Sequence, residues 1–204
     1  MKSQGILELS APVMPVANFV SDEHARLCAE LFSEAGVPAI EVTLRHPNAW
    51  RHVDICRRLM PNSQIGVGTV VDAAGLIRAS EIADFAISPG FDPGLNSAIP
   101  EGFNYIPGVS TASEIMQAAN AGFSVLKLYP AEAVGGCDLL KALQGPFPRI
   151  KFCPTGGISE QNYQDYLALA NVLCVGGSWV IPSLHRIESE RSELLRSLKT
   201  LYKK

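Results

Sequence analysis

The chain has 204 residues, which is room for one sizeable domain and little room for two. With 47% apolar and 18% charged residues it can bury a real core, so a disordered chain is excluded. A net charge of −3 without a basic patch or stripe excludes a nucleic-acid footprint and a membrane-surface helix.

In chain order, Met1–Ser10 lacks the apolar stretch of a signal peptide, and no apolar run is long enough to span a bilayer, so a cytoplasmic location is expected. Pro12–Asn18 is the first predicted strand, and Ser21 caps a helix that runs to Gly36. Val37–Arg45 is the second strand, followed by a helix from Pro47 to about Met60. Gln64–Val70 is the third, with a helix from Asp72. Asp84–Ser88 is the fourth, followed by a short helical stretch near Asp92–Ala98. Tyr105–Val109 is the fifth, and Thr111 or Ser113 opens the next helix. Phe123–Tyr129 is the sixth, with a helix near Cys137–Gln144. Arg149–Pro154 is the seventh, with Ser159 capping a helix to about Ala170. Val172–Val175 is the eighth, and an amphipathic helix over about Leu184–Tyr202 closes the chain. Eight strands, each followed by a helix, predict a single α/β domain over residues 1–204, a (β/α)8 TIM barrel. A doubly wound open sheet is the fallback.

Cys28, Cys56, Cys137, Cys153 and Cys174 are scattered and read as buried structural thiols. His24, His46, His52 and His185 form no i, i+4 pair, so no metal site is inferred.

Strand alternation locates the chemistry. In the second strand Ile40, Val42 and Leu44 share one face, expected to meet the outer helices. Glu41, Thr43 and Arg45 share the other, expected to face the barrel axis. A carboxylate and a guanidinium near the C-terminal end of a barrel strand read either as a buried ion pair or as an acid/base group with an anion clamp; active sites lie at that end. In the sixth strand Leu126 and Leu128 face the helices, and Lys127 faces the axis with Val125 and Tyr129. A buried lysine has a lowered pKa and attacks carbonyls to form Schiff bases. A lysine paired with Glu41 for structure alone fits the pattern equally well. Gly156-Gly157 after strand seven and Gly176-Gly177-Ser178 after strand eight stand where barrels bind phosphate, since glycine allows a close backbone approach. Thr69 shares a face with Ile65 and Val67 and is expected to point inward at the rim. Glu132 reads as a rim residue.

Glu41-Val42-Thr43-Leu44-Arg45, Gly66-Val67-Gly68-Thr69-Val70, Ile87-Ser88-Pro89-Gly90, Lys127-Leu128-Tyr129-Pro130-Ala131-Glu132, Phe152-Cys153-Pro154-Thr155-Gly156-Gly157-Ile158 and Gly176-Gly177-Ser178-Trp179 stand in one order along the chain. Together they resemble the 2-keto-3-deoxy-6-phosphogluconate / 4-hydroxy-2-oxoglutarate aldolase family, from Pro12 to Trp179. The resemblance implies a small class I aldolase, commonly a homotrimer, that acts on a small keto acid without a cofactor or metal. It implies that Lys127 forms the Schiff base and Glu41 is the general acid/base. Arg45 and Thr69 would hold the pyruvyl carboxylate, with Pro89, Tyr129 and Thr155 completing the substrate site. Gly156, Gly157, Gly177 and Ser178 would hold phosphate. The expected reaction is cleavage of 2-keto-3-deoxy-6-phosphogluconate to pyruvate and glyceraldehyde 3-phosphate. Some members carry an arginine just after the first strand that assists phosphate binding, whereas this chain reads Val16-Ala17-Asn18. That departure leaves room for a non-phosphorylated keto acid such as 4-hydroxy-2-oxoglutarate. A non-catalytic sugar-phosphate-binding barrel is the alternative from another class.

Overall fold

The computed structural model describes residues 2–203. A helix, α1 (Lys2–Leu9), precedes an alternating series: β1 (Val13–Ala17), α2 (Asp22–Ala35), β2 (Ala39–Thr43), α3 (Ala49–Leu59), β3 (Gln64–Gly68), α4 (Ala73–Ile82), β4 (Phe85–Ile87) and α5 (Pro93–Ser97). It continues with β5 (Asn104–Ile106), β6 (Gly108–Val109), α6 (Ala112–Asn120), β7 (Val125–Leu128), a 3-10 turn (Glu132–Val134), α7 (Gly136–Gln144), β8 (Lys151–Pro154), α8 (Tyr163–Leu167), β9 (Val175–Gly177) and α9 (Leu184–Leu201).

Local chemistry sets many of these boundaries. The Ser21 hydroxyl accepts from the His24 N–H to start α2, and Gly36 at φ 72° ends it. Asp72 caps α4 through the Gly75 N–H. Of the two residues expected to open the sixth helix, Thr111 does so, in a reciprocal capping box with Glu114.

All strand pairing is parallel. Six strands lie in the order β5-β4-β3-β2-β1-β9 and form a half-barrel, and three lie in the order β6-β7-β8. Single parallel bridges, Thr155 to Gly176 and Phe152 to Val172, connect the β8 region to the β9 region. Only Pro107 separates β5 from β6. Proline has no N–H to give a ladder, so the single strand expected over Tyr105–Val109 is split there.

Other expectations shift. The last strand pairs with β1 through Val13 and Val175, so β9 begins at Val175 and Gly176-Gly177 lie inside it rather than after it. The helix expected from Ser159 to Ala170 shrinks to Tyr163–Leu167. The Asn162 side chain accepts from the Ser159 N–H, which turns the chain for a further three residues before the helix starts.

The core is layered. Ile40, Val42, Ile65 and Val67 pack outward with Cys28, Phe32, Val53 and Cys56 of α2 and α3. Leu126 and Leu128 pack outward with Ile115, Ala118 and Leu140 of α6 and α7. The concave side holds a separate apolar cluster of Met14, Ala39, Phe85, Ile87, Ile106, Val125, Cys153 and Cys174. Ile6 and Leu7 of α1 belong to that cluster, so α1 is a floor under the strands, which the sequence reading did not anticipate. Among the described residues no helix is long and apolar enough to cross a membrane.

One titratable side chain is built into the α2–α3 packing. The His52 side chain is 1% exposed, with Nε2 3.2 Å from Asp22 Oδ1. The His46 ring is 5.0 Å away, and Phe19 meets His52 edge-on at 5.8 Å. Burial, and then the nearby His46, hold the His52 imidazole below the ordinary histidine range. The folded state therefore binds fewer protons than the unfolded chain as the pH falls. This stability is complete above the unfolded histidine pKa and is lost as the pH drops through the folded one. The thermal midpoint is expected to fall between about pH 7 and pH 5 by a smaller amount in His52→Gln than in the parent. Equal falls in both proteins would assign the acid sensitivity elsewhere.

Candidate active site

At the C-terminal side of the apolar cluster the concave face changes character. Glu41 from β2 and Lys127 from β7, 86 residues apart in sequence, meet there. Lys127 Nζ donates to Glu41 Oε1 at 3.0 Å and to Oε2 at 3.3 Å. Both side chains are nearly inaccessible, at 6% and 2% exposure. Lys127 also lies 5.3 Å from the centre of the Tyr129 ring, near enough for a cation–π contact. The alternation expected for β2 and β7 holds at these positions.

Gly68 makes the pair possible. A Cβ placed there would overlap the Glu41 carboxylate, so any other residue would push Glu41 off Lys127. This corrects the expected parity of β3. Gly68 faces inward, whereas Ile65 and Val67 face the outer helices. Thr69 follows with φ 63°, a left-handed backbone that is rare outside glycine and concentrated at functional sites. That twist takes Thr69 out of the strand alternation. It lines a depression of about 440 Å³ with Leu44, Trp50, Asp72 and Arg78.

β2 ends at Thr43, so Arg45 lies in the turn that follows, beyond the regular strand, and is exposed. Thr43 remains inward in part: it is buried, and its hydroxyl donates to the Ala17 carbonyl. Pro89 is half-buried after β4, and Tyr129 is half-buried after β7. Thr155 is buried directly after β8, and its hydroxyl donates to the Cys153 carbonyl at 3.4 Å. Below it, Cys153 and Cys174 have their sulfurs 3.5 Å apart. The hydrogen bond between them, and then burial, push the Cys174 thiol up, so it stays protonated and is a packing group.

The glycine turn after β8 is built to a pattern. Gly156 has φ 98° and Gly157 has φ 80°. The Ala131 N–H donates to the Thr155 carbonyl at 2.8 Å, and the Glu132 N–H to the Gly156 carbonyl at 3.1 Å. Asn162 Nδ2 donates to the Gly157 carbonyl at 3.3 Å. In a trans peptide the C=O and N–H point opposite ways. Three consecutive carbonyls drawn back in this manner turn the N–H groups of Gly156, Gly157 and Ile158 away from those donors, as a set of anion donors requires. The other two residues expected to hold phosphate lie across the β8–β9 bridge: Gly177 is buried at the end of β9 and Ser178 is exposed after it.

A family model described as "Aldolase: KDPG and KHG aldolase" matches residues 6–196. The chain is 44% identical over 176 residues to the KHG/KDPG aldolase of Escherichia coli (strain K12), covering 85% of this chain and 83% of that protein. It is similar to the KDPG aldolase of Legionella pneumophila, solved with pyruvate captured at low pH as a covalent carbinolamine intermediate. That structure has a TM-score of 0.89 and 38% identity, with 97% of each chain covered. The 2-keto-3-deoxy-6-phosphogluconate aldolase of Zymomonas mobilis ZM4, solved with 3-phosphoglycerate, has a TM-score of 0.90 and 33% identity, covering 100% of this chain and 96% of that one. The chain belongs to the KDPG and KHG aldolase family and is an aldolase, a carbon–carbon lyase.

Proposed function

We propose that this aldolase cleaves 2-keto-3-deoxy-6-phosphogluconate to pyruvate and glyceraldehyde 3-phosphate through a Schiff base on Lys127. The observation that carries this reading is the buried contact between Lys127 Nζ and both carboxylate oxygens of Glu41. A lysine attacks a ketone only after it loses a proton, and Glu41 is in place to take it.

Neutral Lys127 adds to C2, and Glu41 returns the proton to the oxygen. Loss of water from the carbinolamine leaves a protonated imine, which is an electron sink. Glu41 removes the proton from the C4 hydroxyl. The C3–C4 electron pair moves into the imine as the bond breaks, releasing the aldehyde and leaving an enamine. Protonation at C3 and hydrolysis then free pyruvate and Lys127. Arg45 and Thr69 at the rim would hold the carboxylate, the former with planar paired donors. Pro89, Tyr129 and Thr155 would bound the substrate, and Gly156, Gly157, Gly177 and Ser178 would take the phosphate. We also infer that β5 and β6 are halves of one strand and that the two sheets close into a (β/α)8 barrel. In that fold active sites lie toward the C-terminal ends of the strands; Lys127 is the next-to-last residue of β7, and Glu41 is the middle residue of β2.

Cleavage of 4-hydroxy-2-oxoglutarate is the second reading. It is favoured by Asn18, exposed just after β1, and by the lack of a cationic side chain in the glycine turn itself. Kinetics on both substrates rank them. Borohydride reduction with pyruvate, followed by peptide mapping, tests the shared chemistry. A pyruvate-derived adduct on Lys127 is expected, and no adduct on the folded protein would overturn the proposal.

A further inference from the structure

Glu132 and Tyr166 have no part in the bond-breaking scheme, yet they join the elements that surround the substrate. Tyr166 lies in α8 and is 1% exposed. Its hydroxyl donates to Glu132 Oε1 in the 3-10 turn after β7. Gly136, at φ 53°, leaves room for this contact: a Cβ there would lie 2.8 Å from the Tyr166 hydroxyl oxygen and 3.2 Å from Glu132 Oε1. On its other side Glu132 lies flat against Gly157, where an added Cβ would come within 2.6 Å of the Glu132 Cβ. The Glu132 N–H holds the Gly156 carbonyl, as described above. One residue thus ties the strand that carries Lys127 to the glycine turn after β8, and α8 holds that residue by its carboxylate.

The position of that carboxylate is the unexpected feature. Glu132 is exposed and touches a turn whose N–H groups suit an anion. A free carboxylate there would repel a phosphate bound at the turn. The Tyr166 hydroxyl gives it a partner on the α8 side.

We propose that Tyr166 and Glu132 are positioning residues for the distal anion pocket. Together they brace the Gly156-Gly157 turn, and Tyr166 keeps the Glu132 charge turned away from it, so the pair sets how strongly the enzyme prefers a phosphorylated keto acid over an unphosphorylated one. This rests on the reading above that the turn receives the substrate phosphate. Neither residue touches the reacting carbons, so imine formation on Lys127 does not depend on them.

The test is steady-state kcat and KM for 2-keto-3-deoxy-6-phosphogluconate and 4-hydroxy-2-oxoglutarate in the parent, Tyr166→Phe and Tyr166→Phe/Glu132→Gln. Tyr166→Phe is expected to raise KM for the phosphorylated substrate about ten-fold, the scale of a lost hydrogen bond to a charged group. KM for the unphosphorylated substrate and the rate of borohydride trapping with pyruvate stay within about two-fold, because the lysine site is left intact. Adding Glu132→Gln removes the released charge and recovers most of the loss. Equal damage to both substrates, or no change with either, would overturn the proposal, as would a double variant no better than Tyr166→Phe alone. A parent enzyme that gains nothing from the phosphate would instead overturn the assignment of the glycine turn, and this inference with it. The parent kinetics alone separate the two failures.

Discussion

Lys127→Met is expected to stop turnover and weaken the fold in one step. The rate should fall by a factor on the order of 10⁴ to 10⁶, because the covalent step is lost and only binding and polar stabilisation remain. The stability effect has a separate origin. Lys127 and Glu41 are both buried, and removing one leaves the other without its counter-charge. Breaking such a pair costs about 3–5 kcal/mol, whereas replacing both partners with neutral groups costs much less. Urea unfolding should therefore show Lys127→Met well below the parent and Lys127→Met/Glu41→Gln closer to it, although both are inactive. If the double variant is no more stable than the single one, the loss is one of packing and the charge argument fails.

Glu41→Gln is expected to separate two steps that a single rate hides. Overall cleavage should slow by about 10²–10⁴-fold, the usual worth of a positioned acid/base group. The substitution leaves in place the Lys127 amine, the group that would attack the ketone. Borohydride should therefore still trap pyruvate on Lys127 in this variant, even as turnover collapses. Loss of trapping together with turnover would place the need for Glu41 at imine formation. Unchanged turnover would remove Glu41 from the chemistry.

The two side chains proposed as catalytic were legible because strand alternation is a strong rule where a strand is regular. β2 and β7 are regular through Glu41 and Lys127, so reading alternate residues inward succeeded at both. The same rule failed at Thr69 because the backbone there leaves the β region, and no side-chain pattern announces a φ of 63°. It does not reach Arg45, because β2 stops two residues earlier and hands the chain to a turn. Gly68 carries no signal of its own beyond its motif. Its role depends on Glu41, 27 positions earlier in the sequence, which sits across a strand pair and fills the space a side chain would take. Tyr166 gave no signal either, since an aromatic on a helix reads as core and its hydroxyl partner is 34 residues away. Boundaries followed the same logic. Ser21, Gly36, Asp72 and Thr111 act within three or four residues of themselves and could be read. The position of β9 is set by pairing with β1 at the opposite end of the chain.

The floor made by α1 has a consequence for traffic. Ile6 and Leu7 put apolar side chains under the strands, so in the proposed barrel the lysine would sit above a closed floor. Substrate, water and both products would then use the opposite rim. In the proposed Schiff-base scheme pyruvate would still be bonded to Lys127 while the aldehyde occupied the space toward that rim. The aldehyde would have to clear it before the water that hydrolyses the imine could enter. A blind-ended reactor of this kind would enforce an order of departure without any moving part, and the eight-residue helix α1 would be what makes it blind.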